Sequence, residues 1–305
     1  RGGQPTPQHF SLKGRVWAVT EVRLGKRRGT APSGAILHTG GAAVLLYIWA
    51  ELWYSIVNLI FNIMFGDEKY EFQDHCGQLL RHSEAAPSTA CPSPQAYWDA
   101  YQGADDVYVV TLSALLSGSH NSAVQARVLL EEEEPERNVH VFNSCSASSG
   151  EVLTALKIRE LASSGMPFKK VVREVEQYIC QMQTLFVLES LENLRKNGRL
   201  TKLQAVVTGA LKIKLFMGAT PEGEICKLGQ ALSMKQALSK LVDKIASDPN
   251  HVGRTLVICH CNCKERAEKV KEQILAKCQV GEILVVGAGG ITTVYANDGG
   301  VVVSY

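Results

Sequence analysis

From residue 104 onward, short apolar runs alternate with longer amphipathic stretches, and this alternation constrains the fold more than any other feature of the chain. Residues 106–113 (DVYVVTLS) predict a buried strand, 119–134 a helix, and 139–143 (VHVFN) a second strand. Residues 150–163 predict a helix ended by Ser164-Gly165, and Pro167 opens another that runs to about Met182. Strands that alternate with helices imply a parallel, doubly wound sheet.

The second half has a different rhythm. Residues 184–188 (TLFVL) predict a strand and 203–211 a short apolar helix. Residues 213–217 and 224–228 flank Pro221-Glu222-Gly223, a hairpin turn signal. An amphipathic helix is expected at 234–247, a strand at 255–259, a charged helix at 264–278, and the last strands at 283–286 and 301–304. The expected architecture is therefore α/β in two domains. The mixture of hairpin and crossover in the second half suggests an α+β second domain, with a boundary near residues 164–168.

Residues 1–57 stand apart as an atypical N-terminal segment. Residues 1–41 are rich in Gly, Pro, Arg and Thr and have no sustained periodicity. Residues 42–65 (AAVLLYIWAELWYSIVNLIFNIMF) are long enough to span a bilayer, broken only by Glu51, Asn58 and Asn62. A membrane anchor and a buried helix feeding a buried strand both fit this run. Its late start and the lack of a small-residue cleavage site argue against a signal peptide.

Several function classes are excluded. With 32 basic and 30 acidic residues, the net charge of +2 gives no case for nucleic acid. The nine cysteines are odd in number and irregularly spaced, and several lie in apolar runs, so free buried thiols in a reducing cytoplasm are expected. The Cys259-His260-Cys261-Asn262-Cys263 run has ligand chemistry, but no second cluster completes a tetrahedral set, so no metal is expected. No phosphate-cradling glycine spacing occurs. Gly287-Ala288-Gly289-Gly290 is glycine-rich, but no clear helix is predicted after it. None of the eight histidines sits in a triad-like context.

Three hydroxyl-rich loops remain as candidate sites. In Ser88-Thr89-Ala90-Cys91-Pro92-Ser93-Pro94, two prolines make a rigid loop, and Ser93 also reads as a helix cap with Pro94 at the first helical position. Residues 111–119 (TLSALLSGS) lie at the C-terminal end of a strand and lead into a helix, where open α/β sheets bind ligands and free N–H groups favour an anionic head group. Capping is the simpler role, but three serines and a glycine exceed what a cap needs. Residues 143–150 (NSCSASSG) have the same form after the next strand. Two such loops side by side would make a polar rim around a crevice.

At these residues the chain resembles the DegV family, the bacterial fatty-acid-binding proteins. Thr89-Ala90-Cys91-Pro92-Ser93-Pro94 is similar to that family's T-S-Q-P-S-P, residues 113–119 to S-S-x-L-S-G-T, and residues 143–148 to D-S-x-S-A-S. Residues 191–200 (LENLRKNGRL) resemble L-x-x-L-x-x-G-G-R-I, and 211–214 (LKIK) continue like L-N-I-K-P. Gly299-Gly300-Val301-Val302-Val303 resembles the closing glycine-rich strand. The match covers about residues 59–305.

The resemblance implies a two-domain α/β fold, a parallel-sheet α/β/α domain at 58–165 packed against a smaller mixed-sheet α/β domain at 166–305, with an acyl chain in a buried tunnel and its carboxylate in the cleft between the domains. It implies a chain that is not itself an enzyme but the cytoplasmic lipid-binding subunit of fatty acid kinase. Such a subunit presents the carboxylate to a separate ATP-dependent kinase subunit and touches membranes only transiently, for lipid exchange. A long-chain fatty acid is then the ligand, and no cofactor is needed. Position by position, the family assigns Thr89, Ser113, Ser117 and Gly118 to the carboxylate, and Ser93, Ser146, Arg199 and Thr293 to the head group or partner. Some positions depart from the pattern. Cys91 stands for the family's Gln, Ala114 for its second Ser, and Thr292-Thr293-Val294-Tyr295 replaces a frequent histidine. The opening strand with T-D-S is matched only faintly, by 16–20 followed by Glu21. A serine-dependent acyl hydrolase or transferase using Ser113 or Ser117, and a membrane-anchored interaction protein using 42–65, are the alternatives.

Overall fold

The computed structural model describes residues 11–12, 15–16, 35–39, 42–46, 89–102, 104–200, 203 and 213–305. Residues 1–31 and 32–305 form separate compact units. In the first, β1 (Ser11–Leu12) and β2 (Arg15–Val16) pair antiparallel. The faint 16–20 match otherwise lies outside the described residues.

The second unit contains two sheets. The smaller has the order β3 (Ala35–Thr39), β4 (Ala42–Leu46), β5 (Asp106–Thr111), β6 (Asn138–Asn143). β4, β5 and β6 run parallel, and β3 is an antiparallel edge. Thus the start of the 42–65 run is a strand, and the rest of that run lies outside the described residues. β5 is buried from Val107 to Thr111, as a parallel strand covered on both faces should be. Its side chains alternate between two helical layers. Val107 and Val109 meet Tyr97 and Tyr101 of α1 (Pro94–Tyr101) and Ala123, Ala126 and Leu130 of α2 (Ser119–Glu133). Tyr108 and Val110 meet Ile158 of α3 (Ser149–Ser163) and Val171, Val175 and Ile179 of α4 (Phe168–Gln181). The four-residue spacing of those α4 positions makes one apolar stripe.

The mixed sheet, expected in the smaller domain, is the larger of the two, with the order β11-β10-β12-β7-β8-β9. Its strands are β7 (Thr184–Val187), β8 (Lys214–Ala219), β9 (Ile225–Ala231), β10 (Leu256–His260), β11 (Ile283–Gly287) and β12 (Val301–Ser304). Only β10 and β11 pair in parallel; the other pairs are antiparallel. The predicted hairpin closes at Gly223 (φ +86°), where Thr220 N–H donates to Glu224 O over 2.8 Å. One face of this sheet is covered by α6 (Met234–Ser247) and α7 (Lys264–Lys277), whose Leu241, Ile245, Val270 and Ile274 pack with Val187, Ile258, Val301 and Val303. The opposite face carries Phe186, Met217, Cys259 and Val302. α3 packs on β5 of the smaller sheet and also on β10 and β12 of the larger one.

Helical structure that sequence reasoning did not assign is present. α5 (Glu192–Lys196) lies in the LENLRKNGRL stretch. α8 (Gly290–Ala296) follows the 287–290 glycines directly, which corrects the expectation that no helix follows them. The β-branched run Ile291-Thr292-Thr293-Val294 has poor intrinsic helix propensity. Burial of Thr293, Val294 and Ala296 in the fold overrides it. The helix predicted at 203–211 lies, apart from Leu203, outside the described residues. Among the described residues, no helix is long and apolar enough to cross a membrane.

Candidate functional site

The face of the larger sheet away from α6 and α7 is the floor of a cavity of about 310 Å³. Val286, Cys259, Val302 and Phe186 stand in one register row across β11, β10, β12 and β7. Ala219 and Ile225, themselves a cross-strand pair, extend the lining across β8 and β9. The lining therefore draws on all six strands, and five gaps of about 4.8 Å make a span of roughly 24 Å. Over this floor lie Val152 and Glu151 of α3, Leu112 and Leu116 of the loop after β5, Leu194 of α5, and Ile291 of α8. The volume falls within the roughly 300–1,000 Å³ of small-molecule sites, and the shape required by six strands is elongated.

Polar groups enter this apolar lining at few points. Thr89 Oγ1 and Tyr295 Oη share a hydrogen bond of 2.9 Å. The Arg199 guanidinium sits 5.6 Å from the Tyr295 ring centroid, donates from Nε to Leu116 O over 3.2 Å, and also donates to Asn197 O. Ser117 Oγ accepts from Ser119 N–H over 3.2 Å and shares a 3.0 Å hydrogen bond with Ser119 Oγ. A second group is fully interlinked. Ser146 bonds Thr184 over 2.6 Å, Thr184 bonds Ser304 over 3.0 Å, and Ser304 bonds Ser149 over 2.7 Å. This buried hydroxyl chain stitches the 143–150 loop and α3 to β7 and β12.

The two loops after β5 and β6 do lie side by side. Ser113 N–H donates to Ser146 O over 2.7 Å, and Ala114 N–H donates to Asn143 Oδ1 over 3.1 Å. Of the residues singled out from sequence, Thr89, Ser117, Ser146 and Arg199 line the cavity. Ser113, Gly118, Ser93 and Thr293 are outside its lining. Ser113 is fully buried, and its hydroxyl donates to Gly223 O over 2.7 Å. Gly118 faces Cys91, whose Sγ would stand 3.2 Å from an added Cβ. Thr293 Oγ1 donates back to Gly289 O over 3.0 Å within its own helix. Ser93 Oγ accepts from Ala96 N–H over 3.2 Å and caps α1, with Pro94 behind it. Ser93→Ala should cost about 1 kcal/mol of stability and leave bound ligand unchanged; loss of ligand in mass spectra of the variant would contradict this placement.

Among the polar lining residues that sequence reasoning missed are Tyr295, Thr292 and Glu151. The segment holding Tyr295 departs from the family pattern, and its β-branched sequence does not disclose a helical phase. Glu151, at the third position of α3, reads as a helix-start acid, and its Oε2 does accept from Ser148 N–H over 2.8 Å. It is nevertheless only 8% exposed, its Oε1 has no partner among the described residues, and burial pushes its carboxyl up to about 7, against the Ser148 hydrogen bond that lowers it. Burial likewise pushes the Cys259 thiol up to about 11, so it serves as apolar wall. Among the described residues, no group of three or more His, Cys, Asp or Glu side chains is placed to hold a metal ion.

The model of the family described as "Uncharacterised protein, DegV family" matches residues 52–305. A DegV domain-containing protein of Streptococcus pyogenes serotype M3 is 34% identical over 258 residues, covering 84% of this chain and 92% of the relative. Among solved structures, a DegV family protein from Ruminococcus gnavus refined with vaccenic acid is 47% identical, with TM-score 0.74 over 78% of this chain and 86% of that one. The Streptococcus pneumoniae Fatty Acid Kinase (Fak) B3 protein loaded with linoleic acid is 31% identical, with TM-score 0.72 over 76% and 83%. A Eubacterium eligens DegV family protein loaded with heptadecanoic acid is 28% identical, with TM-score 0.71 over 78% and 86%. The fold, the hydroxyl-rich loops and these matches agree: the chain belongs to the DegV family.

Proposed function

We propose that this chain binds one long-chain fatty acid in the cavity and offers its carboxylate to an ATP-dependent fatty acid kinase subunit, without catalysis of its own. The carrying observation is the apolar register row Val286-Cys259-Val302-Phe186 beneath a wall whose polar contacts are mostly hydroxyls. The tail supplies affinity: about 14 methylenes of a 16-carbon chain, at roughly 0.8 kcal/mol each, make about 11 kcal/mol before the losses of freedom on binding. The head is held by Thr89, Ser117 and Tyr295. When two hydroxyls share one hydrogen bond, only one proton is used, so the Thr89–Tyr295 pair retains an O–H that can turn to a carboxylate. Arg199, already engaged by Leu116 O and the Tyr295 ring, contributes charge at the rim without a bidentate clamp, which suits a carboxylate that must later react.

The acid-loaded relatives and the Fak B3 likeness support this reading. Ser113 and Ser117 bond to main chain or another serine rather than to an imidazole, which disfavours the hydrolase alternative. Two lobes, at 58–165 and 166–305, a cytoplasmic setting and only passing membrane contact for lipid exchange belong to the same proposal. The buried thiols Cys259 and Cys261 fit a reducing compartment. In the partner reaction, the γ-phosphoryl group of ATP passes to a carboxylate oxygen and ADP leaves. Native mass spectrometry of protein purified without added lipid should show one fatty acid per chain, and the double variant Thr89→Ala/Ser117→Ala should lose it. Unchanged lipid content in that variant would refute the head-group assignment.

A further inference from the structure

We infer that Glu151 marks a polar subsite inside the cavity and that the preferred ligand is a long-chain fatty acid bearing a hydroxyl group along its chain. This rests on the fatty-acid reading above and narrows its ligand class. Glu151 lies on α3, which is pressed between the two sheets, and its side chain lines the cavity with Val152 and Cys259 as apolar neighbours in the lining. More than nine-tenths of the residue is buried. One carboxyl oxygen is held by Ser148 N–H, while Oε1 has no hydrogen-bond partner among the described residues.

A buried polar atom left unpaired is costly, and a plain alkyl chain laid against it would seal it from water without satisfying it. A secondary hydroxyl on the ligand supplies both a donor and an acceptor and matches either state of the carboxyl. The cost of Oε1 thereby becomes selectivity, because a site built to hydrogen-bond a ligand hydroxyl discriminates against the analogue that lacks it. The carboxylate of the same ligand is engaged separately, by the Thr89, Ser117 and Tyr295 hydroxyls, so Glu151 reads the chain rather than the head.

The test is a binding panel of 18-carbon acids on delipidated native protein, comparing stearic acid with isomers hydroxylated at successive carbons. At least one isomer should bind about tenfold more tightly than stearic acid, a difference of about 1.4 kcal/mol. In Glu151→Leu that preference should vanish or reverse, with stearic acid binding at least as tightly as before. Equal affinity of native protein for stearic acid and every isomer overturns the inference while leaving fatty-acid binding intact. The same isomer preference in native protein and variant also overturns it, as does an equal loss for all acids, which would make Glu151 a head-group contact. If no acid binds native protein, the fatty-acid reading fails as well. The native panel needs no variant, so the inference stays testable even if Glu151→Leu folds poorly.

Discussion

Gly223→Ala is expected to lose about 4 kcal/mol of stability and most of the bound fatty acid. Gly223 closes the β8–β9 hairpin at φ +86°, where an L side chain costs about 1–2 kcal/mol. A Cβ there would stand 2.4 Å from Ser113 Oγ and 2.7 Å from Cys145 Cα. The second contact is backbone and cannot rotate aside, so overpacking adds about 1–3 kcal/mol. Relief requires the turn to lift off the loops after β5 and β6, which breaks the Ser113-to-Gly223 hydrogen bond and opens the cavity wall that Gly223 helps to form. Gly165 is the control: φ is +79° but nothing lies within 4 Å of its added Cβ, so Gly165→Ala should cost only the backbone strain. Urea midpoints decide the matter. Similar losses for the two variants would show that the turn does not bear on those loops.

Glu151→Gln is expected to stabilise the protein by about 3 kcal/mol at pH 8 and by almost nothing at pH 4. The carboxyl is raised from its ordinary 4.5 to about 7 by burial. Between those values the folded protein keeps a proton that the unfolded chain has lost, so stability falls as pH rises through the window and stays low above it. At about 1.4 kcal/mol per pH unit, the span amounts to about 3 kcal/mol. Glutamine keeps an acceptor for Ser148 N–H and carries no charge, so it removes the slope. Denaturation midpoints measured from pH 4 to 8 on both proteins give the comparison, and parallel curves would mean that Glu151 ionises as an exposed carboxylate does.

Much of the fold was legible in the sequence because it depends on local period. The unbroken apolar run of β5, the i, i+4 stripe of α4 and the Pro-Glu-Gly turn each announce themselves within a few residues. What stayed hidden depends on partners far along the chain. Ser113 reads as a loop hydroxyl suited to a ligand, yet it is spent on Gly223 O, a residue of the other sheet's hairpin. Glu151 reads as a helix-start acid, and only the larger sheet lying over α3 turns it into a buried one. In α8 the β-branched run conceals the helix, and without its phase the sequence points to Thr293, whereas Thr292 and Tyr295 line the cavity. Motif order therefore points to the ligand class, and the docking of the two sheets decides which hydroxyls line the cavity.

The placement of β12 bears on how such a chain is made. It lies between β10 and β7, so within the sheet β11-β10 on one side and β7-β8-β9 on the other are joined by β12. A chain emerging from the ribosome must hold two half-sheets with open edges until those residues appear, a span in which strangers can pair with them. Seating β12 between β10 and β7 is therefore the step that closes both open edges at once.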